Sequence, residues 1–245
     1  MKNLIRQTLR RLGYDLHRFL PASSPDAQVA QALRTFGIDL VLDVGANTGQ
    51  YARSLREIGY RGRILSFEPL ADAHRALVAA TRTDALWTAA PRTAIGDQEG
   101  EIAINIAGNS ASSSLLDMLD SHSEAAPHSA YIGQDMVPIT RLDTAAASAT
   151  GLAKRLYVKI DTQGYEAEVI AGGAQTLAAA SAVQIEVSLT PLYAGQPSLE
   201  TMLTTMAAHD LALWAVWPGF ADPATGRILQ IEAIFARPEK LLKPA

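Results

Sequence analysis

The chain has 245 residues, 48% of them hydrophobic and 19% charged, which is enough to bury one full core and predicts a single α/β domain. A net charge of -4 excludes generic nucleic-acid binding, which needs a basic face. The absence of cysteine excludes disulfides, thiolate catalysis and cysteine metal sites and fits a cytoplasmic setting, and no apolar run reaches the length of a transmembrane helix.

Residues 1–20 stand apart. Leu4, Ile5, Leu9, Leu12 and Leu16 recur at helical spacing, with five basic side chains against Asp15 alone; this segment is net +4, so the remainder carries -8. A basic amphipathic helix of this kind is expected to pack on the catalytic domain or on a partner subunit. The alternative is weak peripheral contact with an anionic surface, such as the inner face of the membrane. Residues 21–25, rich in Pro and Ser, are expected to be a linker, so that 1–25 form a helix and linker and 26–245 the main domain.

A helix over 26–36 leads into an apolar, β-branched strand over 38–44 that breaks into Gly45-Ala46-Asn47-Thr48-Gly49. Gly45 and Gly49 permit backbone angles and close approaches that a Cβ would block, and Thr48 or Asn47 is expected to cap a helix over 50–58. A strand, glycine turn and helix N-terminus is where doubly wound sheets bind nucleotide-like ligands. The spacing Asp43-x-Gly45-x-Asn47-x-Gly49 lacks the Gly-Lys-Ser/Thr of a P-loop and the G-x-G-x-x-G of a dinucleotide site. An acid ahead of the first glycine suits a cationic cofactor without phosphate, and S-adenosylmethionine is one. The next strand, from 63, ends at Glu68, 25 residues after Asp43, where a carboxylate can grip ribose hydroxyls; Pro69 then opens a helix.

After a helix over 71–81 and a strand over 86–89, Asp97 sits on a turn and residues 101–106 alternate as a half-buried strand. The hydroxyl-rich stretch 109–115 can hold a substrate or cap a helix. His122 and His128 fit no ligand spacing and are expected to be exposed loop residues. A strand over 136–140 leads to a helix capped at Asp143. In 156–161, strand alternation puts Tyr157, Lys159 and Asp161 on one side; burying either charge unpaired costs several kcal/mol, roughly, so they must pair, meet ligand or face a cleft. Glu186 sits among apolar neighbours of the strand 182–188, after a helix over 165–178. We expect Asp161 to serve a substrate hydroxyl, directly or through a divalent cation such as magnesium, with Lys159 beside it, and hold open a Lys159–Glu186 ion pair. A helix over 198–209 and strands over 211–217 and 228–235 complete the chain; Trp214 and Trp217 line a substrate mouth or pack in the core.

Five segments, 43–49, 67–69, 158–166, 185–193 and 230–235, resemble the FkbM-type methyltransferases in content and order, over roughly residues 38–237. The resemblance implies a class I methyltransferase Rossmann-like fold: a seven-stranded, mostly parallel sheet with helices on both faces and a C-terminal antiparallel hairpin. It implies S-adenosylmethionine as cofactor, bound by Asp43, Gly45, Asn47, Gly49 and Glu68, with Asp97 reaching the adenine. It also implies methylation of a hydroxyl on a sugar, glycan or secondary-metabolite acceptor, with a homo-oligomer compatible. The other class held open is an inactive protein on the same fold that binds an adenosyl ligand or a nucleotide-sugar.

Overall fold

The computed structural model describes residues 2–15 and 17–237. In chain order the elements begin with α1 (Lys2–Arg11), α2 (Pro25–Thr35), β1 (Leu40–Val44), α3 (Gln50–Glu57), β2 (Arg63–Phe67), α4 (Ala71–Thr81) and β3 (Trp87–Ala89). They continue with β4 (Ala94–Gly96), β5 (Gly100–Ala107), α5 (Asp120–Ala125), β6 (Tyr131–Arg141), α6 (Leu142–Thr150) and β7 (Leu156–Ile160). The last are α7 (Glu166–Gly172), α8 (Ala174–Ala179), β8 (Ala180–Ser188), α9 (Leu199–Ala208), β9 (Ala212–Pro218) and β10 (Gln230–Ala236).

Seven strands form the main sheet in the order β3-β2-β1-β7-β8-β10-β9, parallel except for β10, which is antiparallel to both neighbours. The order reverses at β1, so a crevice opens beyond the carboxyl ends of β1 and β7, the position where such sheets take ligands. β4, β6 and β5 form a separate three-stranded sheet; β4 and β5 each pair with β6 rather than with one another.

Strand alternation divides the core between the two faces. Leu40, Leu42 and Val44 of β1, with Val158 and Ile160 of β7, pack against α6, α7, α8 and α9 through Leu142, Val169, Leu177 and Met206. On the opposite face Val41, Tyr157, Ala182 and Ile234 pack against α2, α3 and α4 through Leu33, Leu55 and Leu77. Towards the carboxyl ends of the strands this second face turns polar: Asp43, Lys159 and Gln184 are all buried there.

Local chemistry moved several boundaries. Ser24, inside the expected linker, accepts a hydrogen bond from Ala27 N and caps α2, with Pro25 in its first turn. α3 has no side-chain cap from Asn47 or Thr48; left-handed Gly49 opens it. Asp143 caps a different helix from its own, accepting from Gln175 N and Thr176 N at the start of α8. The expected helix over 165–178 is broken at Gly172 and Gly173. In α1 Leu12 is exposed and Leu9 half-buried, and Arg6 and Arg10 donate to Asp15. Leu16 and the side chains of Leu4 and Ile5 lie outside the described residues.

At Gly172 helix α7 lies directly against β4 of the small sheet. A Cβ there would stand 1.8 Å from the Gly96 carbonyl oxygen. Gly172→Ala is therefore expected to lower unfolding free energy by about 1–3 kcal/mol, the scale of overpacking. In Gly151→Ala the added methyl has only the Ala147 carbonyl oxygen, at 3.4 Å, as neighbour, and that variant is expected to melt in urea like the parent.

Candidate active site

The loop after β1 is shaped by what approaches it. Gly45 has φ +79°, and a Cβ on it would lie 1.8 Å from the Asp161 carbonyl oxygen, so the loop ends of β1 and β7 touch through backbone alone. Gly49, at φ +87°, is closed in by the Trp87 ring, which a Cβ would meet at 2.6 Å. Between them Asn47 also takes a left-handed angle. Its N–H donates to Glu68 Oε2 at 2.8 Å, while Leu70 N donates to Oε1 at 2.8 Å. Glu68 thus ties the β1 loop to the start of α4, and burial pushes its carboxyl up to about 7.

Lys159 is 5% exposed. Its Nζ donates to Asp161 Oδ2 at 3.0 Å and to the Gly45 carbonyl at 3.5 Å, and it stands 3.8 Å from Asp43 Oδ1. Burial works to lower the Lys159 pKa, but Asp161, Asp43 and Glu232 together raise it, so the ammonium stays protonated. Behind it, Trp87 Nε1 donates to Ser66 Oγ, which donates to Asp43 Oδ2, each at 3.0 Å.

Asp161 is held from its other side by Gln163 Nε2 at 2.8 Å. The same amide donates to Glu186 Oε2 at 2.8 Å, which also accepts from Gln230 Nε2 at 2.7 Å, while Tyr193 donates to Gln163 Oε1 at 3.0 Å. Burial and the Asp161 charge raise Glu186 well above the carboxylate range. The Lys159–Glu186 ion pair held open from sequence is absent: Lys159 pairs with Asp161 and Asp43 instead.

These groups surround a cavity of about 420 Å³ at the carboxyl ends of β1, β2 and β7. Gly45, Asn47, Glu68, Lys159 and Asp161 line it, together with Ser110, Ser113 and Ser114 of the hydroxyl-rich stretch. Among the described residues, Lys159 is the only basic one on the wall. Three expected residues are elsewhere. Asp43, fully buried, meets the Lys159 ammonium rather than the cavity. Gly49 lies behind the wall, against Trp87. Asp97 does not line the cavity, because β4 joins the small sheet and its end is pressed against Gly172 of α7; Thr93, Ala94 and Ile95 take its place.

Among the described residues, no group of three or more Asp, Glu or His side chains is arranged to hold a metal, so the magnesium expectation finds no donor set. His122 is buried rather than exposed, at 5.1 Å from the Tyr193 ring and 5.5 Å from Phe220, and burial lowers its pKa; His128 is exposed. Tyr51, Gln184 and Glu232 also line the cavity and were not singled out from sequence. A glutamine and a glutamate inside apolar strands, at 182–187 and 231–236, were the available signal.

Glu166 supports the site from outside. Its carboxylate accepts from Thr162 N at 2.9 Å and Gly164 N at 3.1 Å, and burial raises it from 4.5 to about 7. A raised folded-state value means that its contribution to stability is complete at low pH and fades as pH rises through about 7. Glu166→Gln, which stays uncharged, is expected to lose less melting temperature than the parent between about pH 5 and about pH 8; parallel curves would contradict the raised value.

Residues 43–211, more than half of the chain, match the methyltransferase FkbM domain. The 2-O-methyltransferase NoeI of Sinorhizobium fredii is 27% identical over 179 residues, covering 70% of this chain and 72% of that protein. Among solved structures, a protein of the NADB-Rossmann superfamily from Streptococcus agalactiae superposes with TM-score 0.48 at 10% identity, over 92% of this chain and 71% of that one. Aeropyrum pernix fibrillarin with bound S-adenosyl-L-methionine gives 0.43 at 13% identity, over 81% and 66%. Likeness of that degree carries nothing about activity. With the FkbM match spanning the glycine loop, Glu68, Lys159 and Asp161, the chain belongs to the FkbM methyltransferase family and is an S-adenosylmethionine-dependent methyltransferase.

Proposed function

We propose that this enzyme methylates a hydroxyl oxygen on a sugar, glycan or secondary-metabolite acceptor, with Asp161 as the group that receives the hydroxyl proton. The observation that carries the reading is Asp161 on the cavity wall, its Oδ2 paired by the Lys159 ammonium and its Oδ1 by the Gln163 amide. Oxygen as the methylated atom is supported by the relative described as a 2-O-methyltransferase.

The wall suits S-adenosylmethionine. The glycine loop lines the cavity with backbone, Glu68 offers a buried carboxylate to ribose hydroxyls, and among the described residues no arginine lines the wall to await a phosphate. The bound cofactor supplies a methyl carbon made electrophilic by its sulfonium. The chain's own part is positioning and proton removal. A protonated aliphatic hydroxyl is a poor nucleophile, and its proton needs a destination as the carbon–oxygen bond forms. Asp161 accepts that hydrogen bond and then the proton. Lys159 compensates the carboxylate's charge, and Gln163 fixes its rotation, so neither has to be recruited during the reaction. Glu68 acts twice, holding the loop through Asn47 N and presenting its remaining lone pairs to the ribose.

Two outcomes follow. Asp161→Asn is expected to bind S-adenosylmethionine with near-parental affinity in calorimetry and to lose about 10²- to 10⁴-fold in turnover, the share of a general base; full activity would remove Asp161 from that role. Glu68→Gln is expected to weaken cofactor binding by about 1.5–3 kcal/mol, because one of its two N–H partners loses its acceptor and the ribose loses a charged one. Unchanged affinity in a folded Glu68→Gln would contradict the ribose contact.

A further inference from the structure

A second, smaller cavity of about 140 Å³ adjoins the first and shares Tyr51, Ser54, Gln184 and Glu232 with it. It lies between α2, α3 and the face of the sheet that carries Gln184 of β8, Glu232 of β10 and Trp217 of β9, with Asp26 on the α2 side of its wall. We propose that this cavity is the acceptor subsite and that it holds one neutral sugar ring, stacked on Trp217 and hydrogen-bonded through its hydroxyls to Glu232. The proposal rests on the methyl-transfer reading above and names the substrate class for it.

Register places the two recognition groups together. Trp217 of β9 is paired with Glu232 of β10, so both side chains rise from the same face of the sheet, side by side. Trp217 is only half-buried. A pyranose presents an apolar C–H patch on one face and hydroxyl donors around its edge. An indole beside a carboxylate answers both, the first by dispersion against the ring face and the second by accepting from hydroxyls.

The carboxylate is prepared for this use. Gln184 Oε1 accepts from the phenols of Tyr51 at 2.8 Å and Tyr157 at 2.9 Å, which fixes the amide so that its Nε2 donates to Glu232 Oε2 at 2.8 Å. Glu232 is oriented by that bond, and its other oxygen, Oε1, meets no donor among the described residues. The polar wall offers acceptors, Glu232 and Asp26, and among the described residues no basic side chain, which suits an uncharged polyol and repels a phosphate or diphosphate. A volume of about 140 Å³ is too small for a nucleotide. A ring held there shares the wall of Tyr51, Gln184 and Glu232 with the larger cavity, whose wall carries Lys159 and Asp161.

The test uses the full chain, S-adenosylmethionine labelled in the methyl group, and a panel of methyl pyranosides with catechol and a simple phenol as non-sugar acceptors. At least one pyranoside is expected to become labelled. For it, Trp217→Ala and Glu232→Gln should each raise KM by about tenfold or more with kcat changed by less than about threefold, while Trp217→Phe stays close to the parent. Calorimetry with S-adenosylmethionine should agree within about twofold among all four proteins, which also shows that they are folded. Unchanged KM in Trp217→Ala, or label entering only catechol or phenol, overturns the sugar subsite and leaves methyl transfer standing. Cofactor binding with no label in any pyranoside likewise overturns it. Failure of the parent to bind S-adenosylmethionine would instead overturn the cofactor site on which both readings depend.

Discussion

The ammonium of Lys159, buried between Asp43 and Asp161, is the interaction on which the other features of the site depend. A buried charge is tolerated only where opposite charge and hydrogen bonds replace water. Here the partners are distributed across strands: Ser66, Asp43, Lys159 and Gln184 stand in one register row over β2, β1, β7 and β8. That row is continuous on the face that packs, lower down, on α2 and α3. Its meeting with the Gly45 carbonyl draws the β1 loop onto the β7 loop, which leaves no space for a Cβ at Gly45.

The same row divides the chemistry. On one side Glu68 and the glycine loop form a wall rich in backbone and acidic acceptor groups; on the other Tyr51, Gln184 and Glu232 lead to the indole of Trp217. Asp161 is at the carboxyl end of β7 between these regions, with Lys159 beneath it and Gln163 at its flank. A carboxylate so held cannot rotate away without leaving the ammonium to Asp43 and the Gly45 carbonyl. Rigidity at the reacting end therefore comes from the sheet, and the serine-rich segment that completes the larger cavity is tied to β5, where Ser114 and Asn105 exchange backbone hydrogen bonds, and to the site, through Ser110 to Asn47 and Ser114 Oγ to the Gln163 carbonyl.

The parts of this arrangement that sequence revealed are local ones. Strand, glycine turn and helix were legible at 38–58 because period and turn chemistry lie within a few residues of one another. Lys159 and Asp161 were legible because two charges at the end of an apolar strand have few destinations. What escaped was pairing at a distance. Asp43 resembles a ligand contact until β7 is seen to bring Lys159 opposite it. Asp97 resembles an adenine contact until β4 joins the small sheet and Gly172 presses on Gly96. Asp143 looked like the cap of its own helix and serves α8, and Gln184 and Glu232 lie 48 residues apart in the chain. Each of these is fixed by register or by an interhelix approach, neither of which has a local pattern.

The most direct measurement is a double-mutant comparison of unfolding free energy in urea for Lys159→Met, Asp43→Asn and the two combined. If the buried ammonium is what the sheet row is built on, Lys159→Met leaves Asp43 without its countercharge and loses about 3–5 kcal/mol. Adding Asp43→Asn to that variant should restore much of the loss, because the stranded charge is gone. A Lys159→Met protein as stable as the parent, or a combined variant that loses the sum of the two single changes, would contradict the account.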